Sequence, residues 1–167
     1  MNRLRRRLLF ALPLTALASR VAALGAPTGP VVLSISGALA LANRNGRADF
    51  DMAMLERLPQ RSLRVETPWY GGARRFSGPL LRDVLAAAGA KGSTLRLIAL
   101  NDYSVDMPFD DAQRYDVILA RELDGKAMSV REKGPLFVMY PFEAQPQLRN
   151  AVYFGRCVWQ LRSIELL

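Results

Sequence analysis

Hydrophobic and polar positions divide the chain into short segments of two periods. In "VVLSIS" (31–36), "SLRVET" (62–67) and "TLRLIAL" (94–100), apolar residues fall on alternate positions, which predicts strands. In "FDMAMLERL" (50–58), Phe50, Met54, Leu55 and Leu58 recur at helical spacing, and Asp49 is the predicted N-cap. The clearest helix is "GPLLRDVLAAAGA" (78–90). Pro79 suits its first position, Gly89 its C-terminal stop, and Leu80, Val84, Leu85 and Ala88 its buried stripe. "DDAQRY" (110–115) supplies one helical turn, with Asp110 and Asp111 as cap and first-turn residues. "DVILARELDGKAM" (116–128) reads as a hairpin turning at Asp124-Gly125, and Asn45-Gly46 and Gly71-Gly72 mark further turns. "GPLFVMYP" (134–141) and "RCVWQLRSIEL" (156–166) add strands. Short helices among many strands, without regular βαβ alternation, predict an α+β fold with a mixed sheet.

Composition changes this picture little. Half of the residues are apolar and 23% are charged, enough for a buried core. The formal net charge of +8 suggests a polyanionic partner until its distribution is considered. Arg3, Arg5, Arg6 and Arg7 precede an apolar run from Leu8 to Ala18 that ends in Ala16-Leu17-Ala18. That is the pattern of a secretory signal peptide over residues 1–18, too short to span a bilayer. An uncleaved anchor is the alternative, and Arg6-Arg7 also approximates a twin-arginine signal. Without residues 1–18, 19 basic residues face 15 acidic ones, a mild excess with no basic stripe, so no nucleic-acid partner is expected. Residues 19–30 read as a flexible tail, and residues 31–167 as a single domain in a periplasmic product.

The chain contains no histidine and one cysteine, Cys157. This excludes an intramolecular disulfide, His-ligated haem or zinc, and nucleophiles activated by histidine. The methionines at 52 and 54 read as core filler, and Trp69 and Trp159 as packing residues. The polar cluster Asn101-Asp102-Tyr103-Ser104, at the end of a buried strand, leaves two readings open. It either lines a pocket or caps the strand through Asx-turn chemistry, with Tyr103 as core or contact.

Five segments in order, "TPWYGGARRFSGPLLRDVLAAAGA", "LIALNDYSVDMPFDD", "YDVILARELDGKAM", "KGPLFVMYPF" and "RCVWQLRSIEL", resemble the oxidoreductase molybdopterin-binding domain, the central domain of sulfite oxidases and related periplasmic molybdenum reductases. The resemblance spans roughly residues 60–167 and implies a sulfite-oxidase-like fold. Catalytic members of that family place a cysteine thiolate on molybdenum from the stretch that leads into the "GPL" helix. Here that stretch, "RSLRVETPWYGGARRFSGPL", holds no cysteine. The resemblance is therefore closest to cysteine-less periplasmic proteins that bind a reduced pterin and act through a membrane-bound partner in cyclic-di-GMP signalling.

A flat polar bicycle calls for an aromatic or apolar wall with fixed hydrogen-bonding partners. The resemblance implies Asn101, Asp102, Tyr103, Arg121, Tyr140 and Arg156 as cofactor-binding residues, with Arg156 near the phosphate end, and no catalytic or metal-ligating residue. It implies a reduced pterin as ligand, molybdopterin as a possible one, no metal, and a membrane signalling protein with a periplasmic domain as partner. The alternative is a molybdopterin-dependent oxidoreductase with atypical metal ligation.

Overall fold

The structure, a computed structural model, describes residues 24–167, so the expected signal peptide lies outside the described residues. Alternation along β1 (Val31–Ser36) buries Leu33 and Ile35, and alternation along β5 (Thr94–Ala99) buries Leu95, Leu97 and Ala99. With β2 (Ala48–Asp51), β6 (Ser104–Pro108) and β11 (Leu161–Leu166) they form a five-stranded sheet in the order β2-β1-β11-β5-β6. Only β1 and β11 run parallel, and the other neighbours are antiparallel, so the sheet is mixed as expected. A register shift between Leu161 and Ser163 lets β11 bury Leu161, Ile164 and Leu166, which strict alternation would not place on one face.

A second sheet has the order β3-β4-β8-β9, built from β3 (Gln60–Glu66), β4 (Ala73–Pro79), β8 (Glu122–Leu123) and β9 (Lys126–Ala127). β8 and β9 are the expected hairpin, turning at Asp124 and Gly125, both at positive φ. β7 (Ile118–Ala120) pairs with β10 (Phe137–Met139), and every residue of both is buried. β4 crosses β7 closely at Gly78, where a Cβ would strike the Leu119 carbonyl.

Two boundaries depart from the sequence expectation. The segment "ARRFSGP" is strand β4, and Pro79 is its last residue, so helix α2 (Leu81–Ala87) starts after Leu80. Pairing with β3 along its whole length holds this segment extended, and Pro79 is tolerated at its end. Helix α1 (Met52–Arg57) is capped by Asp51, the last residue of β2, and Asp49, two residues earlier, accepts instead from Ser34 Oγ at 2.7 Å.

Asp51 is 2% exposed and accepts from the Met54 amide at 2.8 Å, the Gly29 amide at 2.8 Å and the Thr28 amide at 2.7 Å. The amides of Gly29 and Met54 do most to lower its carboxyl from the ordinary 3.8 to about 2. A carboxyl depressed in the folded state stabilises it fully above the ordinary pKa, and this is lost as pH falls through about 2. Asp51→Asn should therefore melt below the parent near neutral pH. The gap should close as pH is lowered from about 4 toward about 2, and thermal melts across that range check it.

Candidate functional site

The turn between β5 and β6 is "LNDY", residues 100–103. The Asn101 Oδ1 accepts from the Tyr103 amide at 3.2 Å, an Asx turn, and Asp102 takes φ +64°. Tyr103 extends from the turn, 47% exposed, and its hydroxyl donates to the Gly155 carbonyl at 3.1 Å. Gly155 belongs to helix α4 (Ala151–Arg156), capped by Asn150, whose Oδ1 accepts from the Val152 amide at 3.0 Å. The hydrophobic pattern does not predict this helix, and Arg156, expected at the start of a strand, is its last residue. Asn150 is the signal that could have found it.

Between the β5–β6 turn, α4 and the loop after β3 lies a cleft of about 470 Å³. Asn101 and Tyr103 stand on one side, Phe154 and Gly155 of α4 on another, and Trp69 and Trp159 form the aromatic wall. The Trp69 ring centroid is 5.4 Å from Phe137, 5.6 Å from Trp159 and 6.0 Å from Phe154, and the last two pairs are edge-to-face. The Lys133 ammonium lies 5.6 Å from the Trp159 ring centroid and 5.3 Å from that of Tyr70. Cys157 also lines the cleft, but it is 3% exposed, and burial pushes its thiol up to about 12. It stays a protonated thiol at neutral pH.

The six residues expected to bind a cofactor are not gathered in one place. Asn101 and Tyr103 line the cleft. Asp102 is outside its lining and accepts from Arg162 at 2.6 Å. Arg121 is also outside it, held by Gln60 at 3.0 Å, Glu56 at 3.1 Å and Glu122 at 3.0 Å. Tyr140 is fully buried and donates to Asp111 Oδ2 at 2.7 Å; burial and that carboxylate hold its phenol protonated far above its ordinary range. The same Asp111 oxygen accepts from Arg156 at 2.8 Å. Asp111 lies in the first turn of helix α3 (Phe109–Arg114), as expected, but its side chain makes no cap; the capping position is Pro108. Arg156 thus ends α4 as an anchor to the buried Asp111, with its guanidinium 5.3 Å from the Tyr153 ring centroid.

Trp69 and Trp159, expected only to pack, do that and also wall the cleft. Among the described residues, no three His, Cys, Asp or Glu side chains come together as a metal-binding group. The aromatic wall suits one face of a flat heterocycle, and Asn101 and Tyr103 offer polar groups at its edge. The lining brings no thiolate and no guanidinium to that wall.

The strand order and interspersed helices define an α+β fold of the sulfite-oxidase-like, molybdopterin-binding type. Its relation to a solved structure is one of fold. The sulfane dehydrogenase SoxCD from Paracoccus pantotrophus superposes with a TM-score of 0.56 at 19% identity, over 80% of this chain and 37% of that chain. The chain thus spans little more than a third of the length of that protein. The chain belongs to the oxidoreductase molybdopterin binding domain family, whose pattern matches residues 31–145. No curated protein matches it. The match ends before α4, so Phe154, Gly155 and Trp159 lie beyond the family pattern.

Proposed function

We propose that this chain is a periplasmic pterin-binding protein that works without a metal, as the ligand-sensing regulator of a membrane signalling protein. The observation that carries the reading is the cleft itself. Two tryptophans and Phe154 line a space of about 470 Å³, room for a bicyclic ligand, together with Asn101 and Tyr103. The stretch from Arg61 to Leu80, where catalytic relatives carry the metal-binding cysteine, has none, and the chain has no histidine to replace it. Residues 1–18 carry the export pattern. Exposed apolar side chains beside the cleft, Tyr103, Trp159 and Val152 of α4, support a partner that docks across its mouth and senses whether it is filled.

Mass spectrometry of small molecules released from protein purified from its native host should find a reduced pterin, and elemental analysis should find no stoichiometric molybdenum. Stoichiometric molybdenum would favour the other reading, a molybdopterin-dependent oxidoreductase with atypical ligation. A pull-down with and without the pterin should recover a membrane protein only in the loaded state. Recovery in neither state would reduce the proposal to ligand binding alone.

A further inference from the structure

We propose that the open edge of β3 is a docking strip for an extended acidic segment of a partner protein. The segment adds to the sheet as a further strand and sets its carboxylates against Arg64 and Arg75. β3 has seven residues and one neighbour, β4, in unbroken antiparallel register from Gln60 to Glu66. The other edge strands among the described residues have five residues or fewer, and a short edge gives a further strand little to pair with. The backbone of β4 shows which groups of β3 are open. The Arg75 amide donates to Asp124 Oδ1 at 2.9 Å, and the Arg75 carbonyl accepts from the Asp124 amide at 2.7 Å. The Ser77 carbonyl accepts from the Arg121 amide at 2.9 Å. Arg75 and Ser77 thus turn their backbone groups away from β3. Their Cα partners, Arg64 and Ser62, turn theirs away from β4, as alternation in an antiparallel ladder requires. Glu66 has the same parity, and its amide donates to Glu143 Oε1 at 3.1 Å. At the other end Gln60 folds back onto the Leu55 and Leu58 carbonyls. Between these covered ends, Ser62 and Arg64 are exposed.

The charges state the chemistry of the partner. Arg64 and Arg75 are directly opposite, so their side chains share one face, and like charges so placed destabilise a sheet. The acids nearby are engaged by other arginines: Glu56 and Glu122 by Arg121, Asp124 by Arg74, and Glu66 and Glu143 by Arg149. Among the described residues neither Arg64 nor Arg75 forms an ion pair, and neither do Arg57 and Arg61. Residues 57–79 carry five arginines against one glutamate, an excess as large as that of residues 19–167 as a whole. An added strand with carboxylates at alternate positions relieves the repulsion between Arg64 and Arg75, and its backbone pairs with that of Ser62 and Arg64. A second copy of β3 brings arginine to arginine. A polyanion without a strand backbone meets the charge but not the edge. Ser62, Arg64 and Arg75 do not line the aromatic cleft, so the strip stands or falls apart from the pterin reading.

Three capped peptides as long as β3 probe the strip: one alternating glutamate with threonine, the same peptide methylated on every amide nitrogen, and one alternating lysine with threonine. Amide NMR spectra of the isotope-labelled protein follow binding at low ionic strength, where surface charges are least screened. Before any peptide is added, the Ser62 and Arg64 amides should exchange with solvent faster than those of Leu63 and Val65, which face β4. The Glu-Thr peptide should shift the Ser62 and Arg64 resonances saturably and slow their exchange. Arg64→Glu should bind it at least about tenfold more weakly, the loss of one charge-assisted hydrogen bond, and should bind the Lys-Thr peptide more tightly than the parent does. Arg131→Glu, with the same net charge but altered at an exposed arginine outside the sheets, should bind as the parent does. Unliganded Arg64→Thr should melt at or above the parent temperature, since one of two opposed like charges has been removed.

Protected Ser62 and Arg64 amides in the free protein would show that the edge is already covered and would overturn the strip. A complete lack of saturable shifts would overturn it too. Equal binding of the methylated and unmethylated peptides would reduce it to a charged surface that takes any polyanion and would overturn strand addition. A dimer in sedimentation, with those two amides protected, would replace the acidic partner by a second copy of the chain. A lower melting temperature for Arg64→Thr would show that the arginine serves the fold and would overturn its assignment to a partner.

Discussion

Replacing Asp111 by alanine should cost about 3–5 kcal/mol of folding stability, the range seen when one member of a buried charged network is removed. One Asp111 oxygen accepts from both Tyr140 at 2.7 Å and Arg156 at 2.8 Å. The substitution strands a phenol in a fully buried residue and a guanidinium whose side chain is 19% exposed. In a domain of this size each kcal/mol moves the melting temperature by about 2–4 °C, so the drop should reach at least about 6 °C. Arg156→Ala should cost less, because Tyr140 keeps its acceptor. Asp110→Ala is the control: its side chain is 65% exposed and pairs within α3 to Arg114, so the change should stay within about 0.5 kcal/mol. Because Arg156 ends α4, which carries Phe154 and Gly155 into the cleft, Arg156→Ala should lose ligand affinity and stability together. A loss of affinity with an unchanged melt would instead put Arg156 in direct contact with the ligand.

Trp69→Ala should have the largest effect on binding. Its ring meets Trp159, Phe154 and Phe137 and forms part of the cleft wall, so truncation removes the stacking surface and loosens the aromatic residues around it. Stacking of a heteroaromatic base on an aromatic side chain is worth about 1–3 kcal/mol, so affinity should fall about tenfold to hundredfold. Trp69→Phe should recover much of it. Trp159→Ala separates binding from folding: Trp159 is 36% exposed, so it should cost less stability and still weaken the ligand. Calorimetric titration of the three variants alongside their melts checks this. Trp69→Ala with undiminished affinity would move the ligand out of this cleft.

The strands with clean alternation and the Asp124-Gly125 hairpin were legible because local pattern and tertiary pairing agree there. β4 was not, since "SGPLL" carries a helix-start signal while β3 pairs with the segment through Pro79. α4 was hidden by its content of Val, Tyr and Phe, residues that favour strands; its Asn150 cap and Arg156 anchor hold it helical. The polar cluster at 101–104 fits both a strand-end turn and a pocket lining, and Asn101 does both: it makes the Asx turn and lines the cleft. Which arginines were free could not be read along the chain. Arg121 and Arg156 are engaged by acids 65 and 45 positions away, and such pairings exist only in the folded state.

Both tryptophans of the chain line the one cleft, so intrinsic fluorescence reports on it without a label. The most direct test of the central claim is a titration of metal-free protein with dihydroneopterin, followed by tryptophan emission. The expected result is saturable quenching that persists in the presence of a chelator and weakens in Trp69→Ala and Trp159→Ala. Linear quenching without saturation, or saturable quenching that requires added molybdenum, would contradict the assignment of this cleft as a metal-independent pterin site.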